Sequence, residues 1–110
     1  MNGKLLSGAL KAWVKKRESE IWQAQKAERG DTAHLLAYTV KLQEEVGELA
    51  EQVLARLGYQ RKSKKFAHGN EALGEEIADV IIVSLFLAEA AGINIEKALA
   101  GKKKKVDARK

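Results

Sequence analysis

Residues 80–88, Val80-Ile81-Ile82-Val83-Ser84-Leu85-Phe86-Leu87-Ala88, are apolar on nearly every side when wound as a helix, and a helix without a polar face has to be buried. Two acids, Glu76 and Asp79, stand at the head of that run. A carboxylate on a buried helix needs a partner, because desolvating an unpaired charge costs several kcal/mol or forces protonation. A lysine or a cation can serve. The chain carries a second acidic motif upstream, Glu44-Glu45-Val46-Gly47-Glu48. Residues three apart share a helix face, so Glu45 with Glu48 and Glu76 with Asp79 each form a two-carboxylate claw.

Two claws packed face to face make an oxygen cage suited to Mg²⁺, with Mn²⁺ as a substitute. Such hard cations bind through a few carboxylates and complete their shell with water and substrate phosphate oxygens. The competing reading is a solvated helix face, since 32% of the residues are charged. Two carboxylates about 4 Å apart repel by roughly 4 kcal/mol at an effective dielectric near 20, so four gathered without a cation would be strongly destabilising. That cost, with the buried context of Asp79, favours the metal site.

The 110 residues suffice for one core and one domain, with no internal repeat. No proline occurs, Ala, Leu, Glu and Lys abound, and no stretch alternates apolar with polar residues as a half-buried strand would. The expected fold is all-α, a four-helix bundle with helices at about 5–28, 32–57, 71–91 and 95–107 and a basic loop at 58–70. Asp31 or Thr32, Asn70 and Asn94 are the candidate N-caps, and Gly30, Gly58 and Gly92 mark the ends. Leu35, Leu42, Val46, Leu49, Val53 and Leu57 give the second helix a bundle stripe, with Glu45 and Glu48 on its flank. The third helix, returning antiparallel after the loop, brings Glu76 and Asp79 to them. Ile81, Ile82, Leu85 and Phe86 point in different directions, more than one small bundle covers, so a homodimer or dimer of dimers (a homotetramer) is expected; a central helix buried within a monomer is the alternative.

The formal charge is +5, concentrated at Arg61-Lys62-Ser63-Lys64-Lys65 and at residues 102–105. These clusters serve solubility first; holding substrate phosphates or a nucleic acid backbone are the alternatives. There is no cysteine, which excludes disulfides and thiolate metal sites and suits a reducing, cytoplasmic setting. The first residues lack the apolar core of a signal peptide, and the run at 80–88 is shorter than the ~20 residues that span a bilayer, so a soluble protein with no membrane partner is expected. Leu6, Leu10, Trp13, Val14 and Ile21 form the core stripe of the first helix. Trp22 lies off its centre, either packed or placed to stack on a base. His34 and His68 have no metal-ligand spacing, and the Glu-x-x-His of a di-iron bundle is absent.

A Glu-Glu-x-x-Glu motif followed by Glu-x-x-Asp in an all-helical chain of this length resembles the MazG-like nucleoside triphosphate pyrophosphohydrolases. Lys41-Leu42-Gln43-Glu44-Glu45-Val46-Gly47-Glu48-Leu49 is similar to that family's first signature, and Glu75-Glu76-Ile77-Ala78-Asp79-Val80 to its second. Leu87-Ala88-Glu89-Ala90-Ala91-Gly92-Ile93-Asn94-Ile95-Glu96-Lys97-Ala98 is similar to its turn into the last helix, and the resemblance covers residues 33–105. It implies Mg²⁺ bound by Glu45, Glu48, Glu76 and Asp79, and cleavage of a nucleoside triphosphate between its α and β phosphates to a monophosphate and pyrophosphate. Glu44 is then the candidate for orienting or deprotonating the attacking water, and Lys41 for meeting a phosphate, an ordinary ion pair with Glu45 being the plainer alternative. Lys102 matches the family's last-helix lysine. Four residues later the family pattern often has asparagine, where this chain has Val106.

The function so implied is house-cleaning of non-canonical or surplus (deoxy)nucleoside triphosphates. A phosphoribosyl-ATP pyrophosphohydrolase shares the helical architecture and acidic site. From a different class, residues 61–65 and 102–105 suggest a basic nucleic-acid-binding module, but aromatic interleaving is missing apart from Phe66, and nucleic acid is not the expected partner. A family member that keeps the cage without turnover is a third possibility.

Overall fold

The computed structural model of the chain describes residues 5–28, 30–59 and 69–109. Four helices make up these residues: α1 (Gly8–Gln25), α2 (Asp31–Arg56), α3 (Asn70–Ala90) and α4 (Ile95–Ala108), with no strand among them. The fold is all-α, as expected. The basic cluster at 61–65, Phe66 and His68 lie outside the described residues.

Helix ends follow local chemistry. Ser7 caps α1, its Oγ accepting from the Leu10 N–H at 3.0 Å, and Asn94 caps α4, its Oδ1 accepting from the Lys97 N–H at 3.1 Å. The other two starts differ from expectation. Gly30 occupies the cap position of α2, so Asp31 falls in the first turn, where its charge opposes the helix dipole. Gly69 precedes α3, and Asn70 sits inside the helix with its Oδ1 accepting from Arg56 Nη2 at the end of α2. α2 and α3 close alike. At α3 the Gly92 N–H reaches the Glu89 carbonyl and the Ile93 N–H the Ala88 carbonyl, a turn that requires the positive φ of 72° at Gly92.

The closest pairing is α2 with α3, which run antiparallel: Arg56 meets Asn70 at one end, and Glu45 meets Glu76 and Asp79 further along. α1 packs along α3, with Trp13 stacked on Phe86 at 5.6 Å between ring centroids. α4 touches α3 near the turn and is tied to the chain start by Glu96, which accepts from the Leu5 and Leu6 N–H groups and pairs with Lys11 at 3.2 Å. Val14, Tyr38, Val83, Leu85 and Ala88 form the core.

The buried face of α2 is not the expected stripe. His34, Tyr38 and Glu45 are its most buried residues, Leu35, Leu42 and Leu49 are half-buried, and Val46, Val53 and Leu57 are exposed, Leu57 by 62%. At about 100° per residue, the inward direction is rotated away from the leucine stripe toward the polar side. Each of the three has a partner, His34 and Tyr38 the buried Glu18 of α1 and Glu45 the more exposed Lys41 one turn earlier, which removes the penalty that would otherwise turn them outward. The apolar surplus of α3 is also visible: Leu85 is buried, Ile82 and Phe86 are half-buried, and Ile77 and Ile81 face outward, Ile81 being 51% exposed.

Candidate metal centre

α2 and α3 place Glu45, Glu76 and Asp79 so that one carboxylate oxygen from each lies within 4.8 Å of the others. Glu45 is 5% exposed and pairs with Lys41, one helical turn earlier, at 3.2 Å. Lys41 is consequently held above the ordinary lysine range by its hydrogen bond and charge contact with Glu45. Glu48 stands beside this group at the exposed edge of α2, its carboxyl pushed upward by the charge of Glu45, by a hydrogen bond to it, by desolvation and by Glu76. Burial is the first cause raising the Glu76 carboxyl, followed by the charges of Asp79 and Glu45, with a hydrogen bond from Glu48 opposing them.

Among the described residues a single cationic side chain, Lys41, is paired with the group. That leaves more negative charge than the centre can hold in its ionised form, and Glu48 and Glu76 respond by retaining protons to higher pH. Glu76 Oε2 is moreover buried with no hydrogen-bond partner. A buried, unpaired carboxylate oxygen beside two further carboxylates is what a divalent cation satisfies. An all-oxygen donor set without thiolate or imidazole suits a hard ion of the Mg²⁺ or Mn²⁺ kind. The residues present therefore fit such an ion.

The remaining candidate residues are distributed around this centre. Glu44 is exposed and lines, with Lys41, a cleft of about 480 Å³ that continues along α2 past Val40, Tyr38, Ala37 and His34 to Ile21 and Gln25 of α1. Trp22 is half-buried against His34, their rings 4.9 Å apart, on the edge of a separate, smaller cleft with Glu18 and Asp31. Lys102 is exposed on α4 and lines shallow clefts with Asn94, Lys97 and Lys105 and with Leu5 and Leu6, which include no residue of α2. The chain thus gathers the carboxylates and Lys41 but does not bring Lys102 to them. Val106, in the position where the resemblance has asparagine, is likewise exposed on α4.

One polar group was not anticipated from the sequence. Glu18 is buried on α1, and its Oε2 accepts from Tyr38 Oη at 3.1 Å and lies 2.7 Å from His34 Nε2. A signal for it exists: Val14, Glu18, Ile21 and Gln25 share one face of α1, so two polar residues occupy positions of a core stripe. His34 and Tyr38, four apart on α2, complete the pattern.

Comparison with known proteins agrees with this geometry. The family described as the MazG nucleotide pyrophosphohydrolase domain matches residues 33–110, which span α2, α3 and α4 and all four carboxylates. An uncharacterized protein of Bacillus subtilis, YpjD, is 41% identical over 63 residues, covering 57% of this chain and 55% of the relative, so the chain spans about half the length of that protein. No solved structure gives a significant match. With the family matched over most of its length and the acidic residues gathered between α2 and α3, this chain belongs to the MazG nucleotide pyrophosphohydrolase family.

Proposed function

We propose that the protein is a Mg²⁺-dependent pyrophosphohydrolase that converts (deoxy)nucleoside triphosphates to monophosphates and pyrophosphate, removing non-canonical or surplus nucleotides. The observation carrying this reading is the convergence of Glu45, Glu76 and Asp79 around the unpartnered Glu76 Oε2 in a chain of this family. Glu45, Glu48, Glu76 and Asp79 are the residues that would hold the ion, with Mn²⁺ as a substitute. A divalent ion there supplies charge neutralisation for the triphosphate and a lowered pKa for a bound water.

In the reaction, a water oxygen bonds to the α-phosphorus, the bond from that phosphorus to the bridging α–β oxygen breaks, and pyrophosphate leaves with its electron pair. Glu44, next to Glu45 and facing the cleft, is assigned to orient that water or take its proton. Lys41 partly neutralises Glu45 and offers a positive charge to an entering phosphate. Lys102 is assigned to phosphate binding only within an assembly, since its own chain does not carry it to the carboxylates.

The assembly is a homodimer or homotetramer. Supporting it are exposed apolar side chains on α2 and α3, among them Leu36, Leu54, Ile77 and Ile81, which a second copy would cover. The absence of cysteine accords with a cytoplasmic enzyme.

The test is pyrophosphate release from a panel of canonical and modified nucleoside triphosphates, with Mg²⁺, Mn²⁺ or chelator, for the wild type and Glu76→Gln. The reading expects turnover that requires the cation and is lost in the variant. Absence of turnover with every nucleotide would overturn it.

A further inference from the structure

The lysines of α4 are sorted by the helix. At about 100° per residue, Gly101 and Ala108 mark the middle of an arc that Lys97 and Lys104 flank on one side and Lys105 and Lys102 on the other. All of them are exposed, and a shallow cleft lined by Asn94, Lys97, Ala98, Gly101, Lys102 and Lys105 runs along this arc. The two acids of α4 stand on the other side and are both engaged. Glu96 accepts from the Leu5 and Leu6 N–H groups and pairs with Lys11, and Asp107 pairs with Lys103. Leu99 and Val106 are on that side as well, in a cleft with Leu5 and Leu6.

The arc carries costs that nothing in the chain offsets. Lys97, Lys102, Lys104 and Lys105 have no ion-pair partner among the described residues, and like charges three or four apart on a helix repel. Gly101, inside the helix, weakens it relative to alanine, although a Cβ there would meet no atom within 4 Å. An anion laid along the arc meets the charge, and the missing side chain lets it come close.

The shape of the arc selects among anions. A helix with its side chains is about 10–12 Å across, and the major groove of a B-form duplex is about 12 Å wide. A ridge of small residues can enter that groove while cations on its two flanks reach the phosphates of the two strands. Lys97 and Lys104 are about 10 Å apart along the axis, two turns on the same flank, and Lys105 and Lys102 oppose them. Single strands are held by bases stacked on aromatic rings, and α4 has none. Amphipathic helices enter anionic membranes on large apolar side chains, which the arc lacks. In A-form RNA the major groove is too narrow for such an approach.

We infer that the outward arc of α4 docks in the major groove of double-stranded DNA, with Lys97, Lys104 and Lys105 on backbone phosphates. The docking does not read sequence: Asn94, the one amide of the arc, is spent on capping the helix. The inference is independent of the pyrophosphohydrolase reading, and Lys102, which that reading assigns to phosphate within an assembly, stays unchanged in the test.

The experiment measures binding of the full chain, in chelator, to labelled DNA duplexes of two unrelated sequences. The same single strand, an RNA duplex and phosphatidylserine vesicles serve as competitors. The two DNA duplexes should bind alike, with affinity falling about 40-fold between 50 mM and 200 mM salt if three phosphates are neutralised. The triple variant Lys97→Ala, Lys104→Ala, Lys105→Ala, its helicity checked by circular dichroism, should bind at least tenfold more weakly, whereas Lys15→Ala with Lys16→Ala on the exposed side of α1 should bind as the wild type does. No binding at 50 mM salt, or equal loss in the two variants, would overturn the inference. So would single strand, RNA duplex or vesicles competing as well as DNA duplex, which would make the arc a general anion surface.

Discussion

Lys41 Nζ lies 3.2 Å from Glu45 Oε2, and this one contact joins two parts of the molecule: Glu45 belongs to the carboxylate centre, while Lys41 lines the cleft that extends toward α1. The lysine is more than half exposed and the glutamate almost fully buried, so the pair is asymmetric. Replacing Lys41 by Met leaves the buried Glu45 charge without its partner. Its melting temperature in chelator is expected to fall by several degrees and to recover on adding Mg²⁺, as followed by circular dichroism. An unchanged melting temperature in chelator would mean that Lys41 does not carry this load.

The carboxylate centre has a distinct pH signature. Glu48 and Glu76 are raised above the ordinary glutamate value of 4.5. A folded-state pKa above the unfolded one means the native protein binds more protons in the interval between them. Stability from this source is complete below pH 4.5 and is lost as pH rises through the raised values. Without divalent cations the melting temperature should therefore carry a downward contribution over that window, relieved in Glu76→Gln. Saturating Mg²⁺ should flatten the same stretch, since metal binding displaces the protons.

Glu96 works in the opposite sense. Backbone N–H donation from Leu5 leads the causes that hold its carboxyl below the ordinary range, with Lys11 and the Leu6 N–H adding to it, against desolvation. Its contribution is present above pH 4.5 and is lost as pH falls through the lowered value. Glu96→Gln should loosen the link between the start of α1 and α4. Amide hydrogen exchange is expected to accelerate at Leu6 and Leu10 while the α2–α3 pair keeps its protection.

Core and surface should separate cleanly in denaturant. Leu85 is 6% exposed, and Leu85→Ala is expected to cost about 2–4 kcal/mol in urea unfolding. The Lys103–Asp107 pair on α4 is open to solvent on both sides. Lys103→Ala should leave the unfolding midpoint unchanged within error.

The exposed isoleucines of α3 carry the assembly proposal. Ile81→Glu puts a charge on a side chain that a second copy would cover. Sedimentation should show the wild type as a dimer or tetramer and Ile81→Glu as a monomer with unchanged helicity. A monomeric wild type would remove the proposal.

How far the sequence could be read depended on whether a residue's role was local. Helix formation, the Asn94 cap and the Gly92 turn are set by neighbours within a few residues, and each was legible. So was the facing of Glu45 with Glu76 and Asp79, because three-residue spacing and an antiparallel return suffice to bring them together. The rotation of α2 was not legible. It depends on Glu18, sixteen residues before His34, supplying a buried acceptor, and hydrophobic periodicity alone points to the leucine stripe. His34 read as unremarkable for the same reason: its partner stands on another helix. Lys102 illustrates the remaining gap, since helix spacing says nothing of where α4 lies relative to α2.

The proposed reaction is cleavage between the α and β phosphates, with Glu45, Glu48, Glu76 and Asp79 as the residues that would hold the cation. Phosphorus NMR of a deoxynucleoside triphosphate incubated with the wild type and Mg²⁺ in ¹⁸O-enriched water shows which bond breaks and where the water oxygen goes. Pyrophosphate and a monophosphate carrying the label are expected, with no reaction in chelator or in Glu76→Gln. Release of inorganic phosphate and a diphosphate, or cleavage that persists in chelator, would contradict it.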